Sequence, residues 1–536
     1  MKNFRKKFLY FVFISLFLVF NLQIDCKIRS NHDYFDLDIT STRGLSWRKV
    51  QNKARDTVIQ LFVQALSFNW LKPYQSPEEE TFFGTGFFIS NDGYIVSNFH
   101  VVDEALSVKI QIPSFGKDRF EVDVIGVCPD RDVALLKLTK ESLDKIKKKL
   151  GSIPYLTFGD SDRVVRTQEI LALGYPLGQE KLKSTQGIVS GRERVWGESY
   201  IQITAPLNKG NSGGPSLNSK GEVIGINTSG ISEAQNIGYI IPIDNVKSAI
   251  EDLHKIKFLR TPLLGGEFNF GNKDMVNFLK SPVSSGLYFS RIYKDTLLEK
   301  AGIIAGDMLY EVNGKEIDFY GETVVSWSED RVYILDLLNR YSIGQDIKLK
   351  VCRQDKKKEF NFKFDLSKQL PIRRFYTPYE KVDYEIIGGM VVMELTLNHI
   401  SLLEEDNQYL IKYKKRENQY ESKLIITHIF PDSPAQKTRV LWEGDILEEV
   451  NGKGVKNLKD FRDRVLESKK NGFLTVKNDQ KQFMVLSLEK ILEEEEKLAD
   501  KHYFKISKLI EELGGVKKEK KEEEEETKKG IKLVLA

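Results

Sequence analysis

Short runs of apolar residues, punctuated by glycine, fill the chain from Thr81 to about Pro242. Runs of this length without long helical patterns between them predict β-strands, and many short strands in succession favour a β-barrel or a β-sandwich. Before them, residues 48–66 predict a helix that runs into a strand. The stretch from Asp244 to Ile256 has apolar residues at helical spacing, so we expect an amphipathic helix that closes this β-rich unit.

An internal repeat begins after about residue 260. The segment Ala301–Gly314 is echoed by Glu443–Gly452, and each copy holds a Gly-Asp pair, an apolar run and an Asn-Gly pair. Asn-Gly favours the φ > 0 turn that joins two strands tightly, so two copies predict two further β-rich domains. Beyond about residue 488 the pattern is helical and highly charged, and the Lys/Glu run within residues 517–529 predicts a solvated end.

The N-terminus has the pattern of an export signal. Basic residues between positions 2 and 7 precede an apolar run from Phe8 to Phe20, which is short for a permanent membrane span. The flanking charges argue against a buried N-terminal helix. The residues before Cys26 lack the small-x-small cleavage pattern, so removal of the segment and its retention as an anchor both stay open.

Composition limits the classes of function. A chain of 536 residues exceeds one hydrophobic core and predicts three or four domains. Its 41% hydrophobic and 29% charged residues exclude wholesale disorder, and a net charge of +4 is too small to imply a nucleic-acid partner. Three cysteines build no disulfide framework, and no Cys/His cluster has metal-ligand spacing, so neither a metal nor another cofactor is expected.

Three segments carry candidate catalytic chemistry. Ser212 is flanked by glycines in Gly210–Pro215, so it can occupy a tight turn whose backbone N–H groups face the same point as its hydroxyl. His100 directly follows a predicted strand, where a neutral imidazole can accept a serine proton. In Asp130-Arg131-Asp132 one aspartate can orient that imidazole. Each segment also has a plain structural interpretation, but the order His, Asp, Ser within one β-rich unit favours catalysis.

These segments resemble the HtrA/Deg family of chymotrypsin-like serine proteases. The resemblance rests on the stretches around the three residues and on four more segments: Gly174–Gly178, Gly187–Ser190, Gly225–Thr228 and Ile237–Pro242. The internal repeat resembles the PDZ modules of that family. The C-terminal layout is similar to the two-PDZ Deg proteases of plant organelles and their bacterial relatives.

The resemblance implies a mainly β fold: a chymotrypsin-like double β-barrel protease domain, two PDZ-type domains and a charged helical tail. The expected divisions are a signal peptide or anchor at 1–26, a linker at 27–47, the protease domain at 48–260, a first PDZ domain at 261–368, a divergent second PDZ domain with an insertion at 369–490, and a helical or disordered tail at 491–536.

The resemblance also assigns roles to residues. His100, Asp132 and Ser212 are expected to form the catalytic triad, with Asp132 preferred to Asp130 because it directly precedes the strand that follows. The N–H groups of Gly210, Asn211 and Ser212 are expected to line the oxyanion hole. The other expected site residues are Leu207, Ile231 and Tyr239 in the S1 pocket and Leu263, Leu264, Gly265 and Gly266 in the carboxylate-binding loop of the first PDZ domain.

Two departures from the family pattern matter. Thr204-Ala205-Pro206 stands where the family usually shows Thr-Asp-Ala, which affects how the oxyanion loop is held. Because Pro206 carries no charge and the expected wall residue Tyr239 is large, we expect an apolar and shallow S1 pocket that takes Val, Ala, Ile or Thr. In the second repeat the nearest carboxylate loop, Ile386–Gly389, precedes a polar insertion around residues 403–422, which argues against peptide binding and leaves assembly as its alternative role.

The expected function is ATP-independent serine endopeptidase cleavage of unfolded or damaged proteins in the cell envelope, such as the bacterial periplasm, without a cofactor. The expected partners are unfolded polypeptides or peptides, a homotrimer or larger assembly built through the aromatics of Phe68–Tyr74, Phe82 and Phe83 ahead of the first barrel, and the inner membrane through the N-terminal segment. Two alternatives stay open: a PDZ scaffold or holdase chaperone with a silent triad, and a processing protease of narrow specificity.

Overall fold

A computed structural model describes residues 42–195, 197–228 and 237–514. Helix α1 (Thr42–Ala54) leads into six strands: β1 Val58–Ser67, β2 Glu78–Phe88, β3 Tyr94–Ser97, β4 Ala105–Gln111, β5 Arg119–Cys128 and β6 Val133–Leu138. They close into a barrel in the order β1-β2-β3-β6-β5-β4. Alternate residues of each strand fill its interior, as Ile59, Leu61 and Val63 of β1 show, because side chains of a strand alternate between its two faces.

A second barrel follows helix α2 (Lys140–Leu150). Its strands are β7 Glu169–Gly174, β8 Lys183–Val195, β9 Glu198–Ile203, β10 Pro215–Leu217, β11 Val223–Thr228 and β12 Gly238–Pro242. They close in the order β10-β11-β12-β9-β8-β7, and the predicted helix is α3 (Ile243–Leu253). A large apolar cluster joins the two barrels through residues such as Phe87, Leu135, Leu173 and Ile241. The predicted double-barrel fold is therefore confirmed.

The first copy of the repeat belongs to a twisted sheet with short helices, as predicted for a PDZ domain. Its elements are β13 Gly266–Phe270, α4 Lys273–Phe278, β14 Leu287–Ile292, α5 Leu297–Ala301, β15 Met308–Val312, β16 Lys315–Glu316, β17 Glu322–Thr323, β18 Val332–Tyr333, α6 Ile334–Leu338, β19 Asp346–Arg353 and β20 Lys356–Lys363. The strand order β13-β14-β15-β19-β20 leaves β13 at an edge.

The second copy belongs to a sheet of the same kind. Its elements are β21 Tyr384–Ile387, β22 Met390–Glu394, α7 Leu397–Leu403, β23 Leu424–Ile429, α8 Pro434–Thr438, β24 Ile446–Val450, β25 Lys453–Gly454, α9 Leu458–Leu466, β26 Phe473–Asn478, β27 Phe483–Ser487, α10 Leu488–His502 and α11 Lys508–Leu513. Both Asn-Gly pairs adopt the predicted positive φ, with 47° at Asn313 and 49° at Asn451.

The aromatic segment Phe68–Tyr74 does not precede the first barrel, as the sequence suggested. It is the loop between β1 and β2, because β1 begins at Val58. Trp70 is 8% exposed and packs with residues of the second PDZ domain, and Tyr74 lies 5.1 Å from the Phe430 ring. The loop folds back because the Asn69 side chain accepts hydrogen bonds from the backbone N–H groups of Leu71 and Lys72.

The tail predicted at 491–536 is also partly incorporated into the fold. Helices α10 and α11 bury Ile491, Leu498, Leu509, Ile510 and Leu513 against the second PDZ domain. The charged residues dominated the sequence pattern, but the apolar residues of α10 recur at the three- and four-residue spacing of a helix face. The predicted end at residues 517–529 lies outside the described residues.

The predicted signal or anchor segment and residues 27–41 of the predicted linker also lie outside the described residues, whereas residues 42–47 of that linker belong to helix α1. Within the described ranges, no helix combines the length and the apolar character that crossing a membrane requires.

Candidate active site

His100 lies on a single turn of 3-10 helix, Phe99–Val101, that directly follows β3. Phe99 and Val101 are buried and hold the turn in the barrel, whereas the His100 side chain is 45% exposed and faces the outside. The Asn98 amide donates to the Asp132 carbonyl at 3.0 Å and so ties this turn to the next catalytic candidate.

Asp132 lies beside His100, because it directly precedes β6, the strand that pairs with β3. Its Oδ1 accepts from the backbone N–H of His100 at 3.0 Å, and its Oδ2 lies 2.9 Å from His100 Nδ1. The Thr228 hydroxyl, from the second barrel, donates to Oδ2 at 3.4 Å. Asp130 instead accepts the backbone N–H of Thr261 at 2.7 Å, so its carboxylate is directed away from the imidazole. The imidazole is therefore oriented by Asp132, with Nε2 left for a proton donor.

The electrostatic surroundings of His100 act in opposite directions. Burial disfavours its charged form, but the negative charge and hydrogen bond of Asp132 and the charge of Asp103 outweigh it, so the His100 pKa is raised above its usual 6.5. Burial and the neighbouring charge of Glu104 raise the pKa of Asp103 to about 6. The site is thus arranged to stabilise an imidazolium ion.

Ser212 is held in a glycine-rich loop that spans the two barrels. Thr85 of β2 donates its N–H to the Ser212 carbonyl at 2.9 Å and its hydroxyl to the Gly210 carbonyl at 2.6 Å. Gly213 has φ of 84°, and a Cβ there would lie 2.1 Å from the Thr85 carbonyl oxygen. Only glycine fits this approach, which explains the sequence around the serine.

The predicted oxyanion-hole donors differ in availability. The Asn211 N–H donates to the Asn208 carbonyl at 3.0 Å, so it is already used within the loop. Within the described ranges, the N–H groups of Gly210 and Ser212 have no acceptor. Gly210 has φ of 94°, a conformation that side chains rarely adopt. The structure therefore leaves two of the three predicted donors for a developing oxyanion.

The predicted S1 residues do not form one wall. Leu207 lies against Gly238: a Cβ atom added at Gly238 would be 3.1 Å from the Leu207 side chain. Leu207 also packs with the interior cluster of the second barrel, which includes Ile240. Tyr239 points to the opposite face of β12, where its ring is 6.0 Å from Tyr200, because neighbouring residues of a strand face opposite sides. Tyr239 and the interior residue Ile240 thus lie on opposite faces of β12, and the place of Tyr239 in the S1 pocket stays a prediction. Ile231 lies outside the described residues.

The predicted carboxylate loop of the first PDZ domain borders a cavity of about 530 Å³. Gly265 has φ of 86°, and a Cβ there would lie 2.1 Å from Thr296. The cavity is lined by the apolar groove residues Leu264, Phe268, Leu335 and Leu338 and by Arg194, Arg260, Arg373, Arg374 and Arg416. An apolar groove beside arginines, next to the open edge of β13, suits an extended peptide that ends in a carboxylate.

The corresponding loop of the second PDZ domain is occupied by the chain itself. Strand β22, the counterpart of β13, pairs with β21 on one side and with β23 on the other, so neither edge is open. The Gly388 N–H donates to the Glu495 carboxylate of α10 at 3.0 Å. These contacts agree with the sequence-based argument against peptide binding by this domain.

Three carboxylates, Asp160, Asp162 and Asp244, lie close enough to hold a cation. Asp162 already pairs with Arg340 at 2.7 Å and Asp244 with Lys247 at 2.7 Å, so basic side chains neutralise the cluster. These three residues therefore belong to an ion-pair cluster that reaches Arg340 of the first PDZ domain.

Sequence reasoning missed the supporting roles of Asn98, Thr85 and Thr228. All three stand inside the segments that carried the family resemblance, but a motif does not show which residue contacts which. Their roles depend on contacts between the segments, including contacts across the two barrels.

The chain matches two family models and several curated proteins. Residues 84–226 match the model of the trypsin-like peptidase domain, and residues 376–508 match a PDZ domain model. Over 421 residues the chain is 29% identical to a probable periplasmic serine endoprotease DegP-like of Bartonella henselae, covering 76% of this chain and 75% of the relative. A Chlamydia trachomatis protein of the same description is 33% identical over 243 residues, covering 44% of this chain and 46% of the relative.

Among solved structures, the HtrA-type protease AlgW with decapeptide is similar at 21% sequence identity and a TM-score of 0.47, covering 61% of this chain and 99% of that chain.

Proposed function

Because this chain belongs to the HtrA/Deg family of serine endopeptidases, we propose that His100, Asp132 and Ser212 are its catalytic triad. The observation that carries the proposal is the pair of contacts from Asp132 to the His100 backbone N–H and to Nδ1, at 3.0 and 2.9 Å. A histidine fixed in this way presents Nε2 to a nucleophile.

In the proposed mechanism, Ser212 Oγ attacks the scissile carbonyl while His100 Nε2 takes its proton. The N–H groups of Gly210 and Ser212 stabilise the tetrahedral oxyanion. His100 then protonates the leaving amine, and the acyl-enzyme is released by a water molecule that His100 deprotonates. Asp132 holds the imidazole in place and stabilises the imidazolium.

The proposed substrates are unfolded or damaged proteins of the periplasm or cell envelope, and the first PDZ domain regulates their cleavage by binding peptide carboxylates. The apolar groove and the arginines around Leu263–Gly266 support that regulation. The relatives named as periplasmic endoproteases support the location. Assembly into a homotrimer and association with the inner membrane belong to the same proposal.

The proposed cleavage preference is for small or medium apolar residues at P1. Pro206, Leu207 and Gly238 offer no negative charge to a buried Lys or Arg, and an unpaired charge in a dry pocket is costly.

A digest of several denatured proteins tests the function. Ser212→Ala removes the nucleophile and should reduce cleavage by about 10⁴- to 10⁶-fold. Ser219→Ala, in the exposed turn of the following hairpin, is the matched control and should cleave like the wild type. Mass spectrometry should find many cuts per substrate, mostly after apolar residues. Cleavage by Ser212→Ala at the wild-type rate would refute the triad. A single cut in each substrate would favour a processing protease. Cuts mainly after Lys and Arg would refute the proposed apolar S1 pocket.

A further inference from the structure

The turn that leads to Asp132 is attached to the first PDZ domain. Asp130 accepts the Thr261 N–H at 2.7 Å, and Arg260 Nε lies 3.6 Å from the same carboxylate. Thr261 stands just before the carboxylate loop that begins at Leu263. Asp130, two residues before Asp132, therefore contacts the segment that leads into the peptide groove.

Arg131 makes a second connection. It is 8% exposed, and its guanidinium donates to the Ser248 hydroxyl of α3 at 2.9 Å and to the Tyr341 carbonyl at 3.2 Å. Tyr341 follows helix α6, which supplies Leu335 and Leu338 to the groove wall. Because a buried guanidinium needs acceptors for its donors, these two acceptors determine where Arg131 lies.

Asp132 has little freedom independent of Arg131. The residues Pro129–Arg131 form one turn of 3-10 helix, and the Asp132 N–H closes it on the Pro129 carbonyl at 3.2 Å. A shift of Arg131 therefore moves the carboxylate that orients His100.

The turn that carries His100 is supported from the same direction. The Phe99 ring packs edge-on against Tyr376, which follows the first PDZ domain, at 5.0 Å between centroids. The Arg260 guanidinium lies 5.5 Å from the centre of the Tyr376 ring and also faces Asp130. The turn before Asp132 thus contacts the start of the first PDZ domain, and the turn that carries His100 packs against the segment that follows this domain.

We propose that Arg131 is a positioning residue: its contacts to Ser248 and to Tyr341 of the first PDZ domain hold the turn that carries Asp132, and so keep the His100–Asp132 pair in its productive geometry. The inference rests on the proposed function, in which these two residues are catalytic. Sequence motifs alone do not suggest it, because the contacts to Ser248 and Tyr341 arise only in the folded chain.

The test compares Arg131→Met with Arg340→Met in the full-length protein. Arg340 pairs with Asp162 at 2.7 Å across the same interface but does not contact the Asp132 turn, so it controls for a generally weakened interface. For Arg131→Met we expect kcat to fall about 10- to 100-fold with little change in KM, because the displaced group orients the base and does not bind substrate. Arg131→Lys should restore part of the loss. Arg340→Met should stay within about two-fold of the wild type.

The pH profile separates positioning from simple structural damage. The charged groups around His100 are Asp132 and Asp103, and Asp103 is in turn influenced by Glu104 and by Arg374 from the segment between the PDZ domains. If Asp132 moves away in Arg131→Met, the His100 pKa should fall and the acid limb of kcat should shift to lower pH. Arg340→Met should leave this limb unchanged.

Each outcome decides the inference. Wild-type kcat and pH profile in Arg131→Met would overturn it, and so would an equal kcat loss in Arg340→Met. If Arg131→Met does not fold, Ser248→Ala takes its place, because it removes one of the two acceptors of Arg131. A fall in kcat of about three-fold with the same shift of the acid limb supports the inference, and an unchanged kcat and pH profile overturns it. Retained cleavage by Ser212→Ala would instead refute the triad itself.

Discussion

At the residue scale, the backbone of Asp132 is the most informative feature of the site. It adopts φ 52° and ψ 45°, a left-handed conformation that aspartate tolerates better than most residues. This conformation ends the 3-10 turn and brings one carboxylate to both the His100 N–H and its imidazole. A bulky or β-branched residue here would lose the charge and would also strain the turn.

The raised His100 pKa predicts the pH dependence of cleavage. The base works only when neutral, so activity should rise with pH, with its midpoint above the ordinary value of about 6.5. Asp103→Asn removes one of the two charges that raise this pKa and should shift the midpoint to lower pH. Initial rates of peptide hydrolysis between pH 5 and 9 measure both effects. A wild-type midpoint near pH 4 would contradict a histidine base.

At the element scale, the two PDZ domains differ in whether the strand beside the carboxylate loop has an unpaired edge. Strand β13 of the first PDZ domain is at the edge of its sheet, whereas its counterpart β22 is paired on both sides. Helix α10 adds the Glu495 carboxylate at the Gly388 N–H, the position where a peptide carboxylate would bind. The same repeat therefore supplies one open groove and one that the chain fills itself.

Glu495 predicts a specific pH dependence of stability. It is 1% exposed, and burial raises its pKa to about 8 from 4.5. Between about pH 4.5 and 8 the Glu495 carboxyl is protonated in the folded protein but ionised in the unfolded chain. Its contribution to the free energy of unfolding is therefore complete below about pH 4.5 and is lost as the pH rises to 8. Glu495→Gln keeps an acceptor for Gly388 but cannot ionise.

We therefore expect Glu495→Gln to match the wild type near pH 4.5 and to exceed it by about 2–4 kcal/mol in the free energy of unfolding at pH 8.5. Chemical denaturation in a Ser212→Ala background measures this difference without self-digestion. A constant difference across this pH range would show that Glu495 is ionised in the folded protein.

At the scale of the whole molecule, aromatic residues serve two different purposes. Trp70 and Tyr74 of the β1–β2 loop pack against the second PDZ domain and are not available as anchors for a partner copy. Phe82 and Phe83 of β2 remain 43% and 46% exposed. Exposed aromatics on a barrel are favourable interface anchors, so the predicted trimer would depend on these two residues.

Light scattering at micromolar concentration tests this assembly. The wild type should have the mass of a trimer or of a multiple of it, and the double variant Phe82→Glu, Phe83→Glu should dissociate because two charges would be buried in the interface. Phe278→Glu, at an 86% exposed position of the first PDZ domain, is the control and should leave the mass unchanged. A fully active wild-type monomer would refute the trimer.

The sequence by itself determined the elements and most of the catalytic candidates. Strand and turn signals are local: apolar alternation predicts strands, and the Asn-Gly pairs determined turns with positive φ. The glycine-rich loop around Ser212 is also local, because close backbone approach requires residues without a side chain. The order of His100, Asp132 and Ser212 was sufficient to suggest one site before any distance was known.

Only the tertiary structure decided what depends on contacts between distant segments. Strand alternation placed Tyr239 away from Leu207, and the Asn208 carbonyl took the Asn211 N–H. The packing of α10 and of the β1–β2 loop on the second PDZ domain depended on a surface that does not exist until that domain folds. The contacts from Arg131 to Ser248 and Tyr341 join segments far apart in the chain, and only the folded chain brings them together.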